Sequence, residues 1–184
     1  MNLKNIKPDI RYLKDMKNVV CDKEWLKKAP RDLEMYYIYR GVREKGGLRY
    51  DITIIPSKVL GKEFVKTKGH QHSAHEIYNI LKGKAIFLIQ NCQKKIIKDI
   101  YAIKAKQGDV ITIPPNFGHI VINPSNQELQ LGNWISENCK NDYRQIEKMK
   151  GAGYFYTKGP AKGEVNWIKN TNYKKIPKLH FEKP

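Results

Sequence analysis

Short apolar runs, broken by polar turn residues, fill the chain between about residues 35 and 135. The runs are rich in β-branched and aromatic residues, which favours strands over helices. Gly, Pro, Asn or Lys separate them at the close spacing that is typical of an antiparallel sandwich or barrel. The runs read MYYIYRGV, RYDITIIP, EFVKT, EIYNIL, KAIFLIQ, KIIKDIYAI, DVITIP, HIVIN and LQLGNWI.

The flanking segments predict small additions to this β-structure. Residues 23–28 suit a short helix with Asp22 near its N-terminus, and YRQIEKMK suits a second one that Gly151 closes. GYFYT and VNWI predict late strands that pack on the outside or on a partner subunit. Because no repeat, low-complexity tract or linker interrupts the chain, we expect one all-β domain over residues 1–184, with both terminal extensions packing on its core.

The charge balance bears on which partner the protein binds. The 184 residues include 35 Lys and Arg against 18 Asp and Glu, a formal net charge of +17 that raises nucleic-acid binding as a possibility. The lysines are scattered, however, and the short clusters CQKKIIKD and NYKKIPK lack interleaved stacking aromatics. We therefore do not expect a nucleic-acid partner, and the charge suits attraction of an anionic metabolite.

Other features of the composition favour a cytoplasmic protein. No apolar run is long enough to cross a bilayer, and the opening MNLKNIKPDI lacks the apolar core of a signal peptide. Cys21, Cys92 and Cys139 are odd in number, far apart and without a CxxC pair. They are expected to be reduced thiols.

Candidate chemistry is concentrated in GHQHSAHEIYNILKG, residues 69–83, in a chain with only five histidines. His70 and His72 project to one face if the chain is extended, and a turn over residues 71–75 can return Glu76 beside them. His119 follows a Pro-Pro turn at the start of another strand. An HxH pair alone is a weak motif, so a His-rich polar turn is the alternative to a metal site. His75 should face the other way, as an ordinary turn histidine.

The joint spacing strengthens the metal hypothesis. His70, His72, Glu76 and Gly83 form one half, and a second half runs from Gly108 through Pro114 and His119 to Asn123. This double pattern resembles the two motifs of the cupin superfamily, a small antiparallel β-barrel (a jelly roll) with a metal in its mouth. Phe64 and Asn116 stand where the two motifs usually have glycine. Two or three imidazoles with a carboxylate suit one divalent ion, Fe, Mn, Ni, Co or Zn, and leave positions open for substrate.

Further segments narrow the resemblance to one family. RYLKDM, EWL, YYIY, GKEFVKTKGHQH, EIYNILKGKA, PPNFGHIVIN and NDY occur in that order. Together they resemble the archaeal-type cupin phosphoglucose isomerases, over roughly residues 10–155. The resemblance implies a cytosolic, metal-dependent homodimer that interconverts glucose 6-phosphate and fructose 6-phosphate.

The resemblance also implies roles for individual residues. The metal ligands would be His70, His72, Glu76 and His119. The groups around the substrate phosphate would be Thr53, Thr67 and Gly69, with Tyr36 and Tyr78 beside them. Glu76 would be the catalytic base, and Tyr143 would act from the segment after the barrel. Lys68 could add charge, but on a strand it should point away from its neighbours.

Three departures from the family concern the substrate rather than the metal. The loop Ser73–His75 is short, Asn141 stands where the family commonly has histidine, and Trp134 lies where a substrate-side tyrosine is often found. A non-catalytic cupin that binds or senses a sugar phosphate is therefore one alternative. Another metal-cupin enzyme, such as an epimerase or oxygenase, is a second, although the hydroxyl-rich pocket disfavours an oxygenase. Proton transfer through Glu76 and a base-free hydride shift both stay open.

Overall fold

The computed structural model describes residue 3 and residues 5–184, and β-strands dominate it. The first seven strands are β1 (Asp9–Tyr12), β2 (Glu34–Lys45), β3 (Leu48–Ile55), β4 (Val59–Leu60), β5 (Glu63–Phe64), β6 (Glu76–Lys82) and β7 (Lys84–Gln93). The others are β8 (Ile96–Lys106), β9 (Val110–Ile113), β10 (Gly118–Ile122), β11 (Leu129–Ser136), β12 (Tyr154–Lys158), β13 (Val165–Lys169) and β14 (His180–Glu182). Three short helices complete the structure: α1 (Leu13–Met16), α2 (Lys23–Lys28) and α3 (Arg144–Lys148).

The strands form three sheets. The first has the order β1-β2-β3-β11-β6-β9, the second β10-β7-β8-β14, and the third β13-β12-β5-β4. Neighbouring strands are antiparallel except for β14, which runs parallel to β8. Within the described residues these ladders stay open and do not close into one hydrogen-bonded barrel. Of the predicted strand runs, only EFVKT is much shorter in the structure, because β5 ends at Phe64.

Side chains between the first two sheets form the core. Strand β7 is buried over six consecutive residues, since both of its faces are covered. The Phe87 ring on this strand meets the Tyr78 ring on β6, with centroids 5.2 Å apart and an interplanar angle of 61°. An edge-to-face pair of this kind fixes the orientation of Tyr78, whose hydroxyl points toward the functional site.

The flanking segments add short helices and strands to these sheets. Asp22 caps α2 by accepting the Trp25 N–H at 3.0 Å, which explains why the helix begins there. The late strands β12 and β13 pair with each other, and β12 joins β5 through Thr157 and Glu63. The terminal strands β1 and β14, which the sequence did not reveal, extend the first and second sheets. No helix of the described residues is long and apolar enough to cross a membrane.

A buried ion pair holds the segment that leads into the functional site. Lys66 and Glu63 pair with almost no solvent exposure. The Lys66 ammonium also donates to the Val19 carbonyl at 2.8 Å, and Glu63 accepts the Cys21 N–H at 2.6 Å. The same ammonium lies 4.8 Å from the Phe155 ring centroid. The pair therefore ties the N-terminal segment and β12 to residues 63–66, just before the histidines.

Candidate metal centre and adjoining cavity

Four side chains meet between the first two sheets. Glu76 opens β6, His119 lies in β10, and His70 and His72 occupy the segment that precedes β6. His70 and His119 are direct partners across an antiparallel bridge, with N···O distances of 3.2 and 2.9 Å. The candidate ligand atoms of all four residues lie within 4.8 Å of one another. The structure thus brings together the four residues that the sequence nominated.

The Glu76 carboxylate lies at the centre of this cluster. Its Oε2 atom is 2.9 Å from Nε2 of His72, 3.3 Å from Nε2 of His119 and 3.9 Å from Nε2 of His70. Burial raises the pKa of Glu76, but hydrogen bonds from His119 and His72 outweigh this effect and hold the pKa well below its usual range. Burial and the neighbouring His119 lower the pKa of His70 strongly. Glu76 is therefore a carboxylate and His70 a neutral imidazole, the ionisation states that metal ligands require.

The cluster fits a divalent metal ion on its own geometry. Nε2 of His70 is buried and has no hydrogen-bond partner among the described residues, so a ligand role would satisfy an otherwise costly atom. Nδ1 of His72 is bonded to the Ala74 carbonyl at 2.8 Å, which directs Nε2 toward the cluster. Three imidazole nitrogens and one carboxylate oxygen suit a divalent transition metal.

A cavity with a volume of ≈ 50 Å³ adjoins the cluster. Glu76, His70 and Tyr78 form one part of its wall. The tyrosines and threonines predicted for substrate binding, Tyr36, Thr53, Thr67 and Tyr78, line it, and so does Tyr143, which was predicted to be catalytic. The Tyr78 hydroxyl lies 3.3 Å from Nε2 of His119, so this tyrosine contacts the histidine cluster directly.

Two hydroxyl groups of the cavity are set up as hydrogen-bond donors. The Tyr36 hydroxyl accepts the Lys68 N–H at 3.2 Å, and the Thr67 hydroxyl accepts the Val121 N–H at 2.9 Å. A hydroxyl that already accepts from the backbone still has its own hydrogen to donate. The cavity wall is therefore suited to a ligand group that only accepts hydrogen bonds, such as a phosphate.

Gly69 connects these hydroxyls to the histidines and has no room for a side chain. Its φ is +85°, and an added Cβ would lie 2.3 Å from Cγ2 of Ile120. Only glycine adopts this backbone without strain, so the residue fixes the direction in which His70 leaves the chain. The donor role predicted for the Gly69 N–H stays a prediction.

Other sequence-nominated positions lie outside the cavity wall. Lys68 points away as expected, because its ammonium pairs with Glu147 and lies 5.1 Å from the Tyr143 ring centroid. His75 is exposed. Trp134 stacks on Tyr50, with centroids 4.8 Å apart. Its chain neighbours on β11, rather than Trp134 itself, line the cavity, because successive strand residues alternate faces.

The structure adds residues that the sequence analysis missed. Asn133 is buried and donates from Nδ2 to Oε1 of Glu76 at 2.7 Å. Asp51 is buried on the neighbouring strand, accepts two hydrogen bonds from Arg49 at 2.8 and 3.0 Å, and meets Arg40 at 3.4 Å. Both Asn133 and Asp51 are polar residues within apolar strand runs, and this interruption is the sequence feature that could have identified them as site residues. Asn141, which the sequence analysis had named as a departure from the family, donates to the Tyr143 hydroxyl at 3.4 Å.

Comparison with known proteins agrees with this site. The family model described as glucose-6-phosphate isomerase (GPI) matches residues 10–175. A glucose-6-phosphate isomerase of Thermococcus litoralis is 32% identical over 152 residues, which cover 78% of this chain and 77% of the relative. One from Pyrococcus abyssi is 30% identical over 173 residues, covering 90% and 87% of the two chains.

Among solved structures, a Cupin 2 conserved barrel domain protein from Salinispora arenicola is similar with a TM-score of 0.41. It is 18% identical, and the match covers 55% of this chain and 76% of that one. The all-β fold class predicted from the sequence is confirmed by the strands that dominate the described residues. The family match spans most of the residues described above, including all four members of the histidine–glutamate cluster. The chain belongs to the glucose-6-phosphate isomerase (GPI) family.

Proposed function

We propose that this protein is a metal-dependent aldose–ketose isomerase that interconverts glucose 6-phosphate and fructose 6-phosphate. The observation that carries the proposal is a buried cluster of three histidines and Glu76 that opens onto a cavity lined with hydroxyl donors. Membership of the glucose-6-phosphate isomerase family supports the same reaction and the same substrate class.

His70, His72, Glu76 and His119 would hold one divalent transition metal, Fe, Mn, Ni, Co or Zn. When bound, such an ion supplies a Lewis acid that stabilises the negative charge developing on the sugar oxygens. The unpartnered Nε2 of His70 and the convergence of four ligand atoms support this assignment. Asn133 and the Ala74 carbonyl would keep Glu76 and His72 in orientation.

The phosphate group would bind at the hydroxyl side of the cavity. Tyr36 and Thr67 each have a hydrogen free to donate, and Thr53 lines the same wall. Gly69 contributes a backbone N–H in this proposal, and Tyr78 bridges the phosphate side and the histidine cluster. A phosphate dianion accepts hydrogen bonds and donates none, which matches this set of donors.

Isomerisation removes a proton from C2 of the aldose and delivers one to C1, while a hydroxyl proton moves from O2 to O1. Glu76 is the proposed base that would take and return the carbon-bound proton, and the Asn133 hydrogen bond to its Oε1 would hold the carboxylate in place. Tyr143 would exchange the hydroxyl proton, because its oxygen accepts from Asn141 and its own hydrogen is left to donate. A hydride shift from C2 to C1 would need no carbon base, but the hydroxyl proton would still have to move from O2 to O1.

Isomerisation in D₂O separates these routes. Proton transfer through Glu76 places solvent deuterium on the product carbon, whereas a hydride shift leaves that carbon unlabelled.

Metal content, and turnover of fructose 6-phosphate with and without a chelator, test the function itself. Loss of turnover on chelation and recovery with added metal are expected. A Glu76→Gln variant that retains metal and full activity would exclude the base role.

A non-catalytic protein that binds a sugar phosphate is the second candidate. The observation that favours it is Asn141 beside the Tyr143 hydroxyl, where the family resemblance leads us to expect a histidine. An asparagine side chain cannot act as an acid or base at neutral pH, so a proton-handling group is absent from that position. Metal-loaded protein that binds hexose phosphates but turns over none of them would establish this alternative.

Three further properties belong to the same proposal: a single domain over residues 1–184, a homodimer and a cytoplasmic location. The extension of the first two sheets by β1 and β14 supports the single domain. Light scattering on the purified protein would test the dimer. Nucleic acid is not a proposed partner, and a salt-dependent affinity for RNA or DNA would contradict this.

A further inference from the structure

Arg11 belongs to the N-terminal strand β1 and lies beside the cavity. It is the direct cross-strand partner of Tyr36 on β2, so the two side chains project from the same face of the sheet. Its Cζ atom is 5.9 Å from the Tyr143 ring centroid. Arg11 therefore neighbours two of the tyrosines that line the cavity.

The charge of Arg11 is not neutralised by an ion pair. Among the described residues no carboxylate oxygen lies within 4.0 Å of its guanidinium nitrogens, and its Nε is buried without a hydrogen-bond partner. Burial lowers the pKa of Arg11, but the oxygens of Tyr36 and Tyr143 outweigh it and raise the pKa. A half-buried, charged and incompletely bonded guanidinium favours negative charge nearby.

The contacts of Tyr36 explain how that charge can act at a distance. Its hydroxyl oxygen accepts the Lys68 N–H. Burial raises the pKa of Tyr36, and the positive charge of the neighbouring Arg11 opposes this rise. Because the oxygen already accepts from the backbone, the Tyr36 hydrogen is left to donate into the cavity that Tyr36 lines. A cation behind the oxygen also strengthens the hydroxyl as a donor.

We propose that Arg11 is a positioning residue for the phosphate group of the substrate, acting through the Tyr36 hydroxyl. This inference rests on the proposed sugar-phosphate function and adds the N-terminal strand to the site. Arg11 sets the Tyr36 hydroxyl as a donor toward the phosphate and supplies a positive charge that no carboxylate within ion-pair distance offsets. Lys68 differs from it, because Glu147 already pairs with that ammonium.

The test compares Arg11→Gln, Arg11→Lys, Tyr36→Phe and the double variant Arg11→Gln/Tyr36→Phe. For hexose 6-phosphate, Arg11→Gln should raise KM about ten-fold, the loss expected for one charge-assisted hydrogen bond, and leave kcat within about two-fold. Arg11→Lys, which keeps the charge, should recover part of the loss. Because Arg11 acts through Tyr36, the double variant should resemble Tyr36→Phe alone. Arg31→Gln, which removes an exposed charge nearby in sequence, is the matched control and should behave as wild type.

A second readout does not depend on turnover. Calorimetric titration of inorganic phosphate into each variant should show the same order of affinities, with Arg11→Gln about ten-fold weaker than wild type. If wild type binds phosphate but does not isomerise the sugar, the proposed function fails while the Arg11 inference stands or falls on this titration. If Arg11→Gln does not fold, Arg11→Lys carries the comparison.

Three results would overturn the inference. Unchanged KM and phosphate affinity in Arg11→Gln would show that the charge does not reach the phosphate. Fully multiplicative effects of Arg11→Gln and Tyr36→Phe would show that Arg11 does not act through Tyr36. A fall in kcat with KM unchanged would point to a general loss of structure or of the reacting geometry instead.

Discussion

Replacing Asn133 by leucine should weaken metal binding without disturbing the fold. Asn133 is 5% exposed, and among the described residues its side chain makes one hydrogen bond, to Oε1 of Glu76 at 2.7 Å. Leucine has a similar volume and cannot donate, so one oxygen of a buried carboxylate loses its partner. Glu76 itself keeps its place at the start of β6.

The size of the effect follows from that single bond. A hydrogen bond to a charged group contributes roughly 1.5–3 kcal/mol, and about 1.4 kcal/mol corresponds to a factor of ten in affinity. Partners that orient metal ligands typically alter metal affinity about 10- to 100-fold when removed. The metal dissociation constant of Asn133→Leu should therefore rise by about 10- to 100-fold.

Competition of Co(II) between the protein and a chelator of known affinity measures this constant, and circular dichroism checks the fold. Asn79→Leu is the matched control, since Asn79 is an asparagine on the adjacent strand β6 at a position that alternates away from Glu76. A Co(II) affinity of Asn133→Leu within two-fold of wild type would refute the reasoning. So would an equal loss in Asn79→Leu.

Three further changes test other parts of the structure. Lys66→Met should lower the free energy of unfolding, measured by urea denaturation, by about 3–5 kcal/mol, because it leaves the buried Glu63 charge unpaired. The double variant Lys66→Met/Glu63→Gln should recover stability, and no recovery would contradict this account. Gly69→Ala should destabilise the fold by about 1–3 kcal/mol and weaken metal binding. Its φ of +85° and the close contact of the added Cβ with Ile120 force the backbone next to the histidines to move. A wild-type metal affinity in this variant would contradict the prediction. Hydrogen bonds from Arg144 lower the pKa of Asp142 to about 2, so this carboxylate stabilises the fold above its ordinary pKa of 3.8, and the contribution is lost as the pH falls through about 2. Arg144→Ala should return the Asp142 pKa toward 3.8 in an NMR titration, and an unchanged pKa would show that another group is responsible.

The elements that depend on local chemistry were predictable from the sequence. Asp22 marks the start of α2, because a cap needs only a side chain three residues from the N–H that it accepts. Strands β2 to β11 followed from apolar runs and turn residues, with β4 and the shortness of β5 as the exceptions. The two-residue strands have too little sequence to form a pattern, and neighbouring segments decide whether they pair.

Some of the candidate metal ligands were likewise predictable from local sequence, and one was not. His70, His72 and Glu76 lie within seven residues, so strand geometry alone placed them together. His119 needed the spacing of a second motif and the family resemblance, since its pairing with His70 joins two distant segments. The single-domain, homodimer and cytoplasmic assignments stay predictions.

By itself the sequence determined the fold class, most strands, and which residues could bind a metal, because each of these depends on spacing along a few residues. The tertiary structure alone decided what supports them. Asn133 is 57 residues from Glu76, and Lys68 is 32 residues from Tyr36, although each pair is joined by a hydrogen bond. Which polar residue of one strand faces a given residue of another depends on sheet order and register, and those are set by packing of the whole core rather than by any local pattern.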